Sequence, residues 1–336
     1  MMRYKFKKLN KEEIDWRVIE ATSDSTIYKS SGWFEYLHQW KKITPVVIEI
    51  STDEVIGYFV GELIFKGVTI LGSPFEGFGT GHQGLSMLKE IQPSERLDIY
   101  NQLSAWIFDS KIASYIQIED YLLTMEDLDG KNVAYEGHEG YVIDLLQSEE
   151  TIYQNMHPRS CRYRINKSRK SGVIIRETTD VDRFVDVYYN QLLEVFNKQG
   201  LTPTYDKSCV SALVEALYPD NILLLEAITA EGDIAATGLF PGDKNMAIFW
   251  GGASYQRFQK FCPNEPLIWE AIKIWKERGT KVFDMCGVRP YKLKFGPVLY
   301  TKPRIMFARC RGLISAKRII KKIYYGIRSF KAKLKG

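Results

Sequence analysis

The chain has 336 residues, 45% apolar and 26% charged, the balance of a folded protein long enough for two cores of about 150 residues each. No apolar run is long enough to span a membrane and the opening MMRYKFKKLNKEEIDW has no apolar signal segment, so a cytoplasmic protein is expected. Five cysteines without a C-x-x-C pair and four histidines without H-E-x-x-H argue against a disulfide framework and against a metal site.

The net charge of +5 is unevenly placed, because Asp284 is the last acid and the 52 residues after it hold 15 Lys or Arg. The preceding body balances to −10. A basic end on an acidic body calls for an anionic partner: phosphate, nucleic acid or lipid headgroup.

In chain order, residues 46–80 read as three apolar strands joined by the polar turn STDE and the tight turn KG. A helical segment is expected over 85–110, then the strand SYIQIED. The polar turn EGHEG near residue 140 divides the chain, and 148–200 is rich in helix patterns. Residues 222–256 repeat the order of the first half, with three strands expected around the turns AEGD and GDKN. The next helix has Asn264 to cap it, Pro266 in its first turn, Ile268, Ala271, Ile272 and Trp275 on one face and Gly279 to stop it. The strand KVFDMCG follows. The fold class is therefore α/β (α+β), a meander, helix and returning strand used twice, with domains at 1–140 and 141–312.

Residues 313–336 form a third region. Apolar residues at 313, 316, 320, 323, 327, 330 and 334 make one helical stripe, accompanied by eight Lys or Arg and no acid. This predicts an amphipathic helix lying on an anionic membrane surface, which would make the protein peripheral to the inner face of the cytoplasmic membrane. Packing on the body or on another chain is the alternative.

Two stretches carry the chemistry. RSCRYRINKSRK places Arg159, Arg162, Arg164, Lys167, Arg169 and Lys170 within twelve residues, and Arg is suited to gripping phosphate oxygens in pairs. FDMCGVRPYKLKFGP, residues 283–297, runs from an apolar strand ending in Asp284 into a Gly turn and a basic, aromatic loop. RYRINKSRKSGV fits R-x-x-I-x-K-[AS]-x-K-x-G-V, and the second stretch fits F-D-x-x-G followed by [FY]-K-x-x-F-G. On these motifs the chain resembles the Fem family of peptidyltransferases and related proteins of the acetyltransferase (GNAT) superfamily.

The resemblance implies two tandem GNAT domains, each a mainly antiparallel sheet flanked by helices, and transfer of an aminoacyl or acyl group to an amine of a cell-envelope precursor. That acceptor would be a peptidoglycan or polysaccharide intermediate, lipid- or nucleotide-linked. The donor is aminoacyl-tRNA or an acetyl- or acyl-CoA, with no tightly bound cofactor. Two departures stand out. The segment 190–217 is too short for the long helical arm of the best-known members, and SYQRFQKFCPNEP has no glycine where a conventional acetyltransferase cradles the coenzyme A pyrophosphate.

Acyl transfer to an amine needs a donor anchor, a positive or N–H group facing the oxyanion, and a neutral amine. Lys292, the motif lysine, is the candidate for the oxyanion or a donor phosphate. Asp284 either orients or deprotonates the acceptor amine, or bonds backbone N–H groups before Gly287. Arg159, Arg162, Lys167 and Lys170 are candidates for the acceptor's phosphates or sugar, with Tyr291 and Phe295 beside them and Phe78 and His82 in the Gly-rich stretch 72–84. Lys294 reads as a solvated loop lysine and Cys286 as a small buried thiol. Two rival classes remain: a nucleic-acid-binding protein using the basic end, and a non-catalytic membrane-surface protein.

Overall fold

A computed structural model of the chain describes residues 3–310, 312–317 and 319. They form two compact units. The first takes the residues up to Ile14, Pro45–His138 and the chain from Lys302; the second takes Asp15–Thr44 and Glu139–Thr301. A single cut near residue 140 thus becomes a discontinuous division, and burial explains it. In the Asp15–Thr44 segment, α1 (Trp16–Ala21) and α2 (Ser31–Lys41) bury Ile19, Trp33, Phe34, Tyr36 and Leu37. α2 lies so close to helix Lys207–Leu217 that a Cβ on Gly32 would stand 2.8 Å from the Ala216 carbonyl oxygen.

In the first unit the expected meander forms. β1 (Lys5–Lys8), β2 (Pro45–Ser51), β3 (Val55–Phe65) and β4 (Thr69–Ser73) pair antiparallel in that order. β5 (Gly84–Met87) also pairs with β3, over Gly57–Val60, while β4 takes Glu62–Phe65. The helix expected from residue 85 is therefore shorter. Leu85, Ser86 and Met87 are all buried in the sheet, and α3 starts only at Pro93, whose missing N–H suits a first helical turn, and runs to Asp109. β6 (Tyr115–Glu119) lies parallel to β4 and antiparallel to Arg304–Ala308 of the final strand. Ile48, Phe59, Leu71, Ile99, Leu103 and Ile116 are fully or almost fully buried between sheet and helix. Each such side chain contributes about 1.5–3 kcal/mol.

In the second unit β7 (Ala134–Asp144) contributes its last residues, followed by α4 (Glu149–Asn155), a π-turn over Pro158–Arg162 and α5 (Tyr163–Lys170). β8 (Ile174–Glu177), α6 (Val181–Asn197) and α7 (Lys207–Leu217) lead to β9 (Ile222–Ile228) and β10 (Ile234–Pro241). The expected second meander then divides. β11 (Met246–Ile248) leaves β10 and pairs parallel with β13 (Val282–Gly287), whereas β12 (Gly251–Ser254) returns to β10. The chain crosses between the two sheets at Phe249 and Trp250, and the small residues of WGGAS permit it: a Cβ on Gly251 would meet the Tyr188 hydroxyl at 2.4 Å. α8 (Asn264–Glu277) buries the expected face, Ile268, Ala271, Ile272 and Trp275, and Leu267 with it, against β9 and β10. Asn264 does not cap it; its amide donates to Ser254 Oγ at 3.0 Å. The start of β14 (Val298–Ala308), up to Thr301, ends the second unit's share of the chain, and the rest belongs to the first unit.

Most of the amphipathic stripe at 313–336 lies outside the described residues. Where it is described, Leu313 and Ile314 pack beside Ile70, Tyr115 and Met306 of the first unit. No helix among the described residues is long and apolar enough to cross a membrane.

Candidate functional site

Asp284 stands where the neighbours of β13 part. On one side β11 pairs with it through Ile248, and Phe249 donates its N–H to Asp284 O at 2.8 Å before the chain leaves for the other sheet. On the other side the pairing with β7 shifts register between Asp284 and Gly287. In that bulge Cys286 takes a φ of 59°, a left-handed conformation unusual for a residue with a side chain. The bulge is held from within, because Asp284 Oδ1 accepts the Cys286 N–H at 2.6 Å. Asp284 is 1% exposed, with the Tyr300 hydroxyl 3.4 Å from its Oδ2. The turn-bonding role weighed from the sequence is the one this geometry displays.

Burial and the adjacent Asp284 carboxylate push the Cys286 thiol well up, and its hydrogen-bonding neighbour is the Tyr28 hydroxyl, itself raised by burial first and by the thiol next. A protonated, enclosed thiol is a poor nucleophile. Cys286 is half-buried, where a buried thiol was expected, and the raised thiol argues against a nucleophilic role.

Beyond the bulge, Pro290–Phe295 form a short 3-10 helix that folds Lys292 back under the strand end. Its Nζ donates to the carbonyls of Met285, at 2.5 Å, and Gly287, at 3.0 Å. The side chain is buried, with the rings of Phe249 and Tyr291 each 5.9 Å from the ammonium. Burial lowers the Lys292 pKa, with the nearby Cys286 and Asp284 side chains opposing it. An ammonium has three donors, and two of them are spent on neutral carbonyls. Among the described residues no acceptor takes the third, and the ammonium lies beside Phe249, where the two sheets separate.

The two signature stretches meet through this loop. His157 donates its backbone N–H to Lys294 O at 2.8 Å, and its Nδ1 accepts the Ser160 N–H at the start of the π-turn. Gly296, with φ 70°, lies where a Cβ would be 2.4 Å from Asn155 O, so the motif glycine is required both by conformation and by space. Lys294 departs from the solvated reading: its Nζ is 2.6 Å from Glu265 Oε1, and Arg164 Nη1 lies 3.0 Å from the same oxygen. Glu265, in the first turn of α8, is 2% exposed. A buried carboxylate paired with two cations thus ties α5, α8 and the Lys292 loop together.

Of the other candidates, Arg159, Lys167 and Lys170 are exposed around the π-turn and α5. Arg162 is half-buried; its Nη1 bonds Gln154 Oε1, and its Nε is enclosed without a hydrogen-bond partner. Tyr291 is 51% exposed beside Lys292. Phe295 is 1% exposed within the unit's core, which corrects its assignment as a substrate contact: the ring supports the loop from beneath. Phe78 and His82 belong to the first unit, where Phe78 packs against Phe75 at 5.2 Å and His82, buried, against Tyr121 at 4.9 Å.

Sequence reading overlooked Tyr28, Tyr300, Glu265 and His157. Glu265 had a usable signal, an acid in the first turn of a helix with Arg and Lys nearby in the motifs. Tyr28 had none, since its segment joins this unit only through tertiary folding.

Residues 157–293 match a family model described as an acetyltransferase (GNAT) domain. No curated protein matches the chain. Among solved structures, the crystal structure of FemX aligns over 93% of this chain and 99% of its own, with a TM-score of 0.72 and 12% identity. A conserved protein of unknown function from Bacteroides thetaiotaomicron aligns over 90% of this chain and 99% of its own, at a TM-score of 0.57 and 11% identity. The shared property at such identities is the fold, here a mixed α/β fold.

Proposed function

We propose that the protein is an acyltransferase that moves an aminoacyl group onto an amine of a cell-envelope precursor, a reading supported by the match of residues 157–293 to a GNAT acetyltransferase domain and by the likeness of its fold to FemX. The observation that carries the reading is Lys292, a buried ammonium fixed by the carbonyls of Met285 and Gly287 with one donor free. In the reaction the acceptor amine attacks the donor's carbonyl carbon, and charge gathers on the carbonyl oxygen. The C–N bond forms, the ester C–O bond breaks, and the proton lost by the amine ends on the departing hydroxyl. The free Lys292 N–H faces the oxyanion, where a preorganised donor is worth about 3–4 kcal/mol of barrier. Asp284 acts as a positioning residue, since its bond to Cys286 N–H shapes the bulge that presents both carbonyls.

Aminoacyl-tRNA is the donor favoured over an acyl-CoA. The approach to α8 contains no glycine, so the backbone cannot close on a pyrophosphate in the usual way. Arg164 and Lys294, beside the first turn of that helix, are committed to Glu265, although Arg257 and Lys260 of the approach itself are exposed. Arg159, Arg162, Lys167 and Lys170 remain to receive an acceptor's phosphates, Arg162 with an unused, enclosed N–H.

Mass spectrometry of candidate lipid- and nucleotide-linked precursors, incubated with the protein and either charged tRNA or acetyl-CoA, tests this directly. Addition of an amino-acid mass from charged tRNA is expected. Acetylation from acetyl-CoA with charged tRNA inert would reverse the donor assignment, and no added mass from either donor would overturn the reading.

A further inference from the structure

Two stretches of the second unit are free of acids, Thr151 to Arg176 and Met285 to Thr301. They are packed together, through the His157 to Lys294 backbone bond and the approach of Gly296 to Asn155. Both stretches carry exposed cations, Arg159, Lys167, Lys170 and Arg289, with the exposed acids Glu149 and Glu150 of α4 and Glu139 of β7 adjoining them. Their surface is also apolar: Tyr163, Val288, Tyr291, Leu293, Val298 and Leu299 retain 39% to 62% exposure. Five of the thirteen strongly exposed large hydrophobic residues among those described fall between Val288 and Leu299, so this is a concentration and not ordinary scatter.

We propose that this face docks on an anionic phospholipid surface. Val288, Leu293, Val298 and Leu299 would enter the boundary between headgroups and acyl chains, while the surrounding cations meet lipid phosphates. Lipid suits the patch better than nucleic acid does, because four of its six apolar residues are aliphatic and offer no ring for a base to stack on. The turn Pro290–Phe295 that holds Lys292 also carries Tyr291 and Leu293. Docking through it brings the reactive lysine to an acceptor held in the membrane, a consequence that rests on the function proposed above.

Co-sedimentation of the full chain with vesicles of phosphatidylglycerol and phosphatidylcholine, against phosphatidylcholine alone, provides the test. Binding to the anionic vesicles is expected, and the combined Leu293→Asp, Val298→Asp and Leu299→Asp variant should lose about tenfold or more of it. Leu146→Asp, at a 74% exposed site of the same unit, should bind as the parent does. Circular dichroism and a thermal melt establish that the triple variant is folded; if it is not, Leu299→Asp alone is expected to weaken binding measurably. The proposal is overturned if the folded variants bind vesicles normally. It is equally overturned if replacing the tail cations Lys321, Lys322 and Arg328 by Gln abolishes binding that the triple variant retains, or if short RNA binds this face and vesicles do not. Transfer is read separately: vesicle binding without transfer to any acceptor counts against the function proposed above and leaves membrane docking standing.

Discussion

Lys292 closes the end of the strand that precedes it, donating from Nζ to Met285 O at 2.5 Å and reaching Gly287 O at 3.0 Å. An alanine there removes the free donor and also leaves two carbonyls to find other partners. Lys292→Ala is expected to lower the rate of transfer by about a hundred- to a thousandfold, with circular dichroism unchanged. Lys292→Arg should not restore it, because a planar fork does not reproduce the compact three-donor ammonium. A single-turnover assay measures both, and an undiminished rate for the alanine variant would remove Lys292 from the reaction.

The same burial predicts a pH profile. Lys292 must be charged to donate, and burial has lowered its pKa below the ordinary lysine range. Transfer should therefore decline as pH rises through that lowered value, earlier than an exposed lysine would allow. The stability effect has the opposite slope. Between the lowered folded pKa and the ordinary unfolded one, the unfolded chain binds more protons, so stability rises with pH in that window. Lys292→Met should abolish this contribution in urea titrations run across the alkaline range.

Glu265 offers a test of how the loop is held. Its carboxylate is almost fully buried and meets both Lys294 and Arg164, so Glu265→Gln leaves two cations facing a neutral amide. Breaking a buried pair from one side costs about 3–5 kcal/mol, whereas Lys294→Met, which leaves Arg164 to neutralise the carboxylate, should cost less. Equilibrium urea unfolding distinguishes the two variants, and equal losses would show that Lys294 alone carries the pairing.

How much of this was legible depended on whether the interaction was local. The motif from Phe283 to Gly296 could be read because strand, turn and loop are consecutive in the chain, and the structure places Asp284, Lys292 and Gly296 as one assembly. The first meander was equally clear, its alternating strands joined by short turns. The second was misread because nothing in Met246 to Ser254 announces that the two short strands go to different sheets; that choice is made by β13, more than thirty residues later. The 85–110 segment failed for a related reason. Leu85, Ser86 and Met87 continue a plausible helix pattern, and only their pairing with β3 makes them a strand. Lys294 and Phe295 were misjudged by exposure, which neighbouring residues 29 and more positions away decide.

The first unit carries its own titrating group, remote from any motif. Glu62 lies on β3 without exposure, its Oε1 accepting the Phe75 N–H at 2.6 Å, and burial pushes its pKa up to about 8 against the hydrogen bonds from Phe75 and Gln83. At neutral pH it is therefore mostly protonated. The folded chain keeps that proton up to about pH 8, while the unfolded chain releases it near the ordinary glutamate value of 4.5. Folding is thus favoured fully at acidic pH, and the contribution is lost as pH rises through the folded pKa, a decline amounting to a few kcal/mol. Glu62→Gln replaces the protonated acid with an amide that does not titrate and still offers an oxygen to the Phe75 N–H. The variant should lose less stability than the parent when urea unfolding at pH 5 is compared with pH 8.5. If both lose the same amount, Glu62 is not the group responsible, and its carboxylate is accommodated in the charged form.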